Sequence, residues 1–222
     1  PSPGNGGAGM SAEVFTMHTA PLTLFMVLAM GGTILFTYTT CVLQQECPAL
    51  PHLPTISNTW THPPGNYVSR FVVSVLCVGL GLVQPTIWLP QKGKTPHSTL
   101  FLGLGLFAIF CLSWVGAICD GSNPQCRGDN NLHVACAMTF FVLYNMNMVV
   151  LTAHDPLRSR CAPVLLVTCL LLKVRWAWAA PLGAWAPPPL EDETPLAIVE
   201  WSDVALVMGW TYWWVRTRCD GA

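Results

Sequence analysis

The stretch LFLGLGLFAIFCLSWVGAI, Leu100–Ile118, carries no charged side chain from end to end. As an α-helix rising about 1.5 Å per residue it is about 28 Å long, close to the ~30 Å of hydrocarbon in a bilayer. Its apolar run is continuous, which does not suit the ~10-residue alternating strands of a membrane barrel. Five more stretches share this character. LTLFMVLAMGGTILF lies within residues 21–43, FVVSVLCVGLGLV within 67–89 and VACAMTFFVLYNMNMVVL within 132–153. APVLLVTCLLL opens residues 161–185, and VALVMGWTYWWV lies within 198–215. Together with 98–118 these predict an all-α bundle of six transmembrane helices. The membrane domain is then 21–218, with a Gly-rich N-terminal tail at 1–20 and a short C-terminal tail at 219–222.

Composition agrees. Of 222 residues only 9% are charged and 52% are hydrophobic, and mean hydropathy is +0.48. Soluble domains carry about 25% charge, so a chain this apolar needs lipid around its outer faces. A net charge of −1 offers no field for nucleic acid, and none is expected as a partner.

Lys and Arg set the orientation. Lys92 and Lys94 follow the second span, Arg158 and Arg160 follow the fourth, and Arg216 and Arg218 follow the sixth. With six spans all share one side, together with both termini. The other side has Arg127, Arg70 at the start of the second span, and the acids Glu191, Asp192 and Glu193. Both ends are therefore expected in the cytoplasm, or in the matrix for a mitochondrial inner membrane. Trp88, Trp114, Trp176, Trp178, Trp185, Trp201, Trp213 and Trp214 lie near span ends, where amphipathic rings anchor at the interface. Gly79, Gly81, Gly103 and Gly105 are expected to allow close helix contact.

Of the cysteines, Cys41, Cys77, Cys111, Cys136, Cys161 and Cys169 lie in or beside apolar runs and read as small hydrophobes. Cys47, Cys119 and Cys126 sit at loops on the outer side, where a disulfide is available if that side is oxidising; spacing does not fix the pairing. No zinc-like spacing occurs, and no metal is expected.

The longest interhelical loop, QQECPALPHLPTISNTWTHPPGN (Gln44–Asn66), holds five prolines. Such a stiff loop is expected to fold as a cap over the outer mouth of the bundle. Its Leu53-Pro54-Thr55-Ile56-Ser57, followed by Pro63-Pro64-Gly65-Asn66-Tyr67-Val68-Ser69-Arg70, resembles the first loop and second helix of the Frag/DRAM/Sfk family. His133 with Phe140-Phe141, and Glu200-Trp201 opening the last span, resemble further features of that family. The resemblance runs from Pro21 over nearly the whole chain; the fifth span, with Lys173-Val174-Arg175, departs most. It implies six membrane helices with cytoplasmic ends, residence in endomembranes or plasma membrane, and roles in lipid organisation, GPI-lipid maturation and autophagy.

Ionisable groups inside a membrane cost about 2.5–3.5 kcal/mol each on insertion scales and need partners. Arg70, Asp120, His133, Glu200 and Asp203 all fall at outer span ends. They make either a salt-bridge cluster that fixes helix packing or a pocket for a lipid head group, with Arg70 on phosphate and Glu200 holding Arg70 or His133. Lys173 and Arg175, at i and i+2, cannot share a helix face. One is expected to pair inward with Asp203 or Glu200; anionic lipid and a partner subunit are the other choices. Asn145 and Asn147 are expected to bond across helices.

No HExxH, GxSxG, Walker or Rossmann pattern occurs. Asp120 with His133 near Ser202 is the nearest thing to an acyl-transfer set, and nothing orients it. The expected role is thus non-catalytic: a lipid-contacting accessory or regulatory membrane protein with bound phospholipids and no other cofactor. Its partners are membrane lipids and other membrane subunits. The alternative is an accessory subunit of a large membrane complex, such as a mitochondrial respiratory or ATP synthase assembly, which the Gly-rich start favours. A lipid-remodelling enzyme stands third.

Overall fold

The computed structural model describes the backbone of residues 7–91, 93, 95–118, 130–185 and 194–219, and the side chains of 19–91, 93, 95–118, 132–175 and 196–217. Among the described residues seven α-helices follow in order: α1 (Gly7–Leu43), α2 (Ile56–Thr59), α3 (Gly65–Trp88), α4 (Ser98–Ala117), α5 (Asn130–His154), α6 (Ala162–Trp185) and α7 (Thr194–Cys219). Short 3₁₀ turns stand at Leu89–Gln91 and Ser159–Cys161, and the described residues contain no strand. The long helices follow the apolar stretches closely. The main difference is at the start, where α1 begins at Gly7, inside the stretch expected as a tail. The Gly-rich character stops early, and the Ala, Met, Glu and Phe that follow are compatible with helix.

Four segments in the described residues are long and apolar enough to cross a membrane: Thr19–Leu43, Gly65–Gln91, Ser98–Ala117 and Leu132–His154. Many of their large side chains point outward. Leu28 and Leu35 on α1 and Phe71 and Val78 on α3 are about two-thirds exposed. Water would penalise that surface, whereas lipid solvates it, so this is an all-α integral membrane protein.

The long helices form a closed ring in chain order. α1 packs on α3, α3 on α4, α4 on α5, α5 on α6, α6 on α7, and α7 back on α1. Short connections favour such antiparallel neighbours. Two of the four glycines expected at helix contacts are there. A Cβ on Gly79 would run into Met26 Sδ, and one on Gly105 would meet Gln84 Oε1 at 2.9 Å. Gly81 and Gly103 face open space.

Two tryptophans expected as interface anchors are core residues instead: Trp88 and Trp214 are fully buried. Trp88 stacks on Phe101, and Trp214 stacks on Trp210. Arg158 lies 4.8 Å from the Trp214 ring centroid and pairs with Asp155, closing that end of the bundle by a cation–π contact. The side chains of Trp176, Trp178 and Trp185 lie outside the described residues.

The disulfide expectation is corrected. Cys47 pairs with Cys41, which had read as a buried thiol. Gln45 takes a left-handed φ of 61° just past the end of α1. Glu46 N–H then donates to Cys41 O, and Gln45 N–H to Val42 O, both at 3.0 Å. This is the double closure that ends a helix and reverses the chain. The reversal brings the Cys47 Cα within 5.3 Å of that of Cys41. Cys119 and Cys126 lie outside the described residues.

Candidate functional site

The loop between α1 and α3 carries α2 into the mouth of the ring. Thr55, in extended conformation, caps α2 by accepting from Asn58 N–H at 3.2 Å. The first turn of a helix leaves backbone donors unpaired, and here the opening of α7 takes one. Glu200 Oε2 accepts from Ile56 N–H at 3.0 Å, and its Oε1 accepts from Ser57 Oγ at 3.0 Å. The next residue, Trp201, donates Nε1–H to Pro54 O at 3.0 Å. On the opposite flank the Thr59 and Thr37 hydroxyls bond at 3.1 Å, tying α2 to α1.

His133, at the start of α5, is 4% exposed. Its Nδ1 is 2.9 Å from Ile118 O at the end of α4, and its Nε2 is 3.0 Å from Ser57 Oγ. A carbonyl only accepts, so Nδ1 carries a proton. The Ser57 hydroxyl has one proton and two neighbours. Given to Glu200, it leaves Oγ to accept from a doubly protonated imidazole. Given to His133 Nε2, it leaves Oγ to accept from a protonated Glu200.

Ser57 and Trp60 form a wall between two spaces. On one side is a small void of about 10 Å³ bounded also by Arg70, Val115, Ile118 and His133, room for about one water. On the other is a cleft of about 90 Å³ inside the ring. Its walls include Met26, Met30, Leu76, Phe140, Phe141 and Val207, and its polar groups include Ser57 and Glu200. Along α7 it reaches from Glu200 to Thr211, about 16 Å at 1.5 Å per residue.

Of the residues singled out in the sequence, the structure gathers Arg70, His133 and Glu200 around Ser57. Glu200 meets His133 through Ser57, and its Oε atoms serve α2. Arg70 is exposed at the rim, and the void beside it is too small for a head group. Asp203 belongs elsewhere. It is 3% exposed, pairs with Lys173, and accepts from Asn145 Nδ2 at 2.8 Å. Lys173 also lies over the Phe141 ring, 5.0 Å from its centroid, while Arg175 on the opposite face is exposed. Asn147 bonds Leu143 O within its own helix, not across helices. Asp120 lies outside the described residues; Ser202 is exposed, and the hydroxyl at His133 is that of Ser57.

A family description, the Frag1/DRAM/Sfk1/Cwh43P N-terminal domain, matches residues 18–216. The chain belongs to this family. No curated protein and no solved structure matches it. In this Frag1-family chain Ser57 is the site residue that sequence reasoning missed. It stood inside the resembling stretch Leu53–Ser57, but a serine in a proline-rich loop gives no sign that residues 133 and 200 will fold against it.

Proposed function

We propose that this chain crosses the bilayer six times with both ends in the cytoplasm, and acts as a lipid-contacting accessory or regulatory protein of endomembranes or plasma membrane. One observation carries the lipid contact: the apolar cleft inside the ring, with Ser57 and Glu200 at its α2 end. A cavity of that shape in a bilayer suits an acyl chain. The exposed guanidinium of Arg70 near that end suits a lipid phosphate outside the void. The Cys41–Cys47 disulfide supports placing α2 on the non-cytoplasmic side, since disulfides persist in oxidising compartments.

Native mass spectrometry of the protein released from mild detergent tests this. Wild type is expected to retain phospholipid. Ala137→Phe, which adds a ring to the cleft wall, is expected to lose it while keeping its melting temperature. Arg70→Gln is expected to lose anionic lipid preferentially. Full lipid retention in both variants, with Arg70→Gln merely less stable, would mean that the polar rim only fixes packing.

A further inference from the structure

A serine hydroxyl becomes a nucleophile when an imidazole stands in hydrogen-bond reach to take its proton and a third group orients that imidazole. Both conditions are met at 3.0 Å and 2.9 Å by Ser57, His133 and the Ile118 carbonyl. Because Ile118 O fixes the proton on Nδ1, a neutral His133 turns its lone pair at Nε2 toward Ser57 Oγ, and it receives the hydroxyl proton when that proton turns from Glu200 Oε1 to Nε2. Ser57 also lies where a reacting lipid would present its ester, at the seam between the apolar cleft and the cavity of Arg70 and His133. Trp60, which lines both spaces, has a buried indole N–H without an acceptor among the described residues. It is a donor available to a developing oxyanion.

We propose that Ser57 and His133 form an acyl-transfer site for a carboxylic-ester lipid whose chain occupies the cleft. The expectation of a non-catalytic role rested on the lack of a local motif. A dyad whose members are 76 positions apart has none to show. Ser57 Oγ bonds to the ester carbonyl carbon while its proton moves to His133 Nε2 and the carbonyl π pair moves onto oxygen. Collapse of that adduct breaks the ester C–O bond, and the departing alkoxide takes the proton from Nε2 and leaves as the lipid alcohol. A second lipid hydroxyl, or water, then attacks acyl-Ser57 by the reverse sequence and restores the serine. Glu200 is a positioning residue: its grip on Ile56 N–H holds Ser57 against His133.

The proposal rests on the cleft holding a lipid chain, and its test separates the two. The full chain in phosphatidylcholine nanodiscs is treated with an alkyl fluorophosphonate, and the labelled residue is read by peptide mass spectrometry. Transfer is followed from a diacyl phospholipid with a deuterated chain to a lysophospholipid. Ser57 is expected to be phosphonylated, and His133→Gln to slow both labelling and transfer by about 100-fold. Ser57→Ala is expected to abolish both while still binding lipid in native mass spectrometry. If that variant unfolds, Ser57→Cys serves instead: thiol reagents should label position 57, faster with His133 present. An unlabelled Ser57 in protein that carries lipid overturns the transfer site and leaves the lipid reading standing. Labelling that ignores His133→Gln overturns the dyad. A labelled Ser57 in a cleft free of lipid upholds the nucleophile and sinks the lipid reading.

Discussion

Lys173 sits in an apolar helix, and its ammonium is tolerated because Asp203 on α7 faces it. Asp203 is the more buried partner and is also held by Asn145. Removing one member of a buried pair strands the other, which typically costs 3–5 kcal/mol, whereas replacing both by apolar residues is often close to neutral. Lys173→Ala is therefore expected to lower stability by about 3 kcal/mol or more. Lys173→Met with Asp203→Leu should lose less, the remainder being the unpaired Asn145 amide, about 1–3 kcal/mol. Thermal melting in detergent measures both; a double variant no better than Lys173→Ala would show that the ion pair is not what matters. The i, i+2 spacing showed that only one of Lys173 and Arg175 turns inward, but not which. That choice is made by where α7 lies, and a single helix carries no such information. Ser57 was hidden for the same reason, since its partners come from α5 and α7.

At the scale of elements, α2 is a single turn that owes its place to its neighbours. Gly65, at the start of α3, is where the cap meets the ring: a Cβ there would stand 2.6 Å from the Thr59 carbonyl oxygen. That oxygen is backbone and cannot swing aside. Gly65→Ala is expected to cost about 1–3 kcal/mol, in the range of overpacked sites, and to loosen Ser57. Gly81→Ala, with nothing within 4 Å of the new carbon, should be neutral or gain up to about 1 kcal/mol of helix propensity. Melting curves of the two variants check this; equal effects would mean that α2 does not press on α3. The Gly-Leu-Gly-Leu runs promised close packing at every glycine. Alternate residues on a helix face opposite ways, so only Gly79 and Gly105 deliver it. The disulfide was equally illegible, because Cys47 reaches Cys41 through a left-handed Gln45. Glycine at that position would have flagged the turn; glutamine does not.

At the scale of the molecule, hydropathy alone reads out α1, α3, α4 and α5, because each is apolar over a length that matches the thickness of a bilayer. It does not read their neighbours, since lipid-facing and ring-facing sides are almost equally oily. The proposed orientation has two independent supports. With six spans, Lys and Arg gather on the side of the termini, and the Cys41–Cys47 pair stands at the opposite end of α1. In sealed vesicles with the cytoplasmic face outward, tags at both ends are expected to fall to added protease. The peptide carrying Cys41 and Cys47 should stay oxidised under the impermeant reductant TCEP and open under permeant dithiothreitol. An odd number of crossings would protect one tag. An inverted protein would protect both tags and expose the disulfide to TCEP; that would put Ser57, His133 and Arg70 on the cytoplasmic side, facing a different leaflet of lipid.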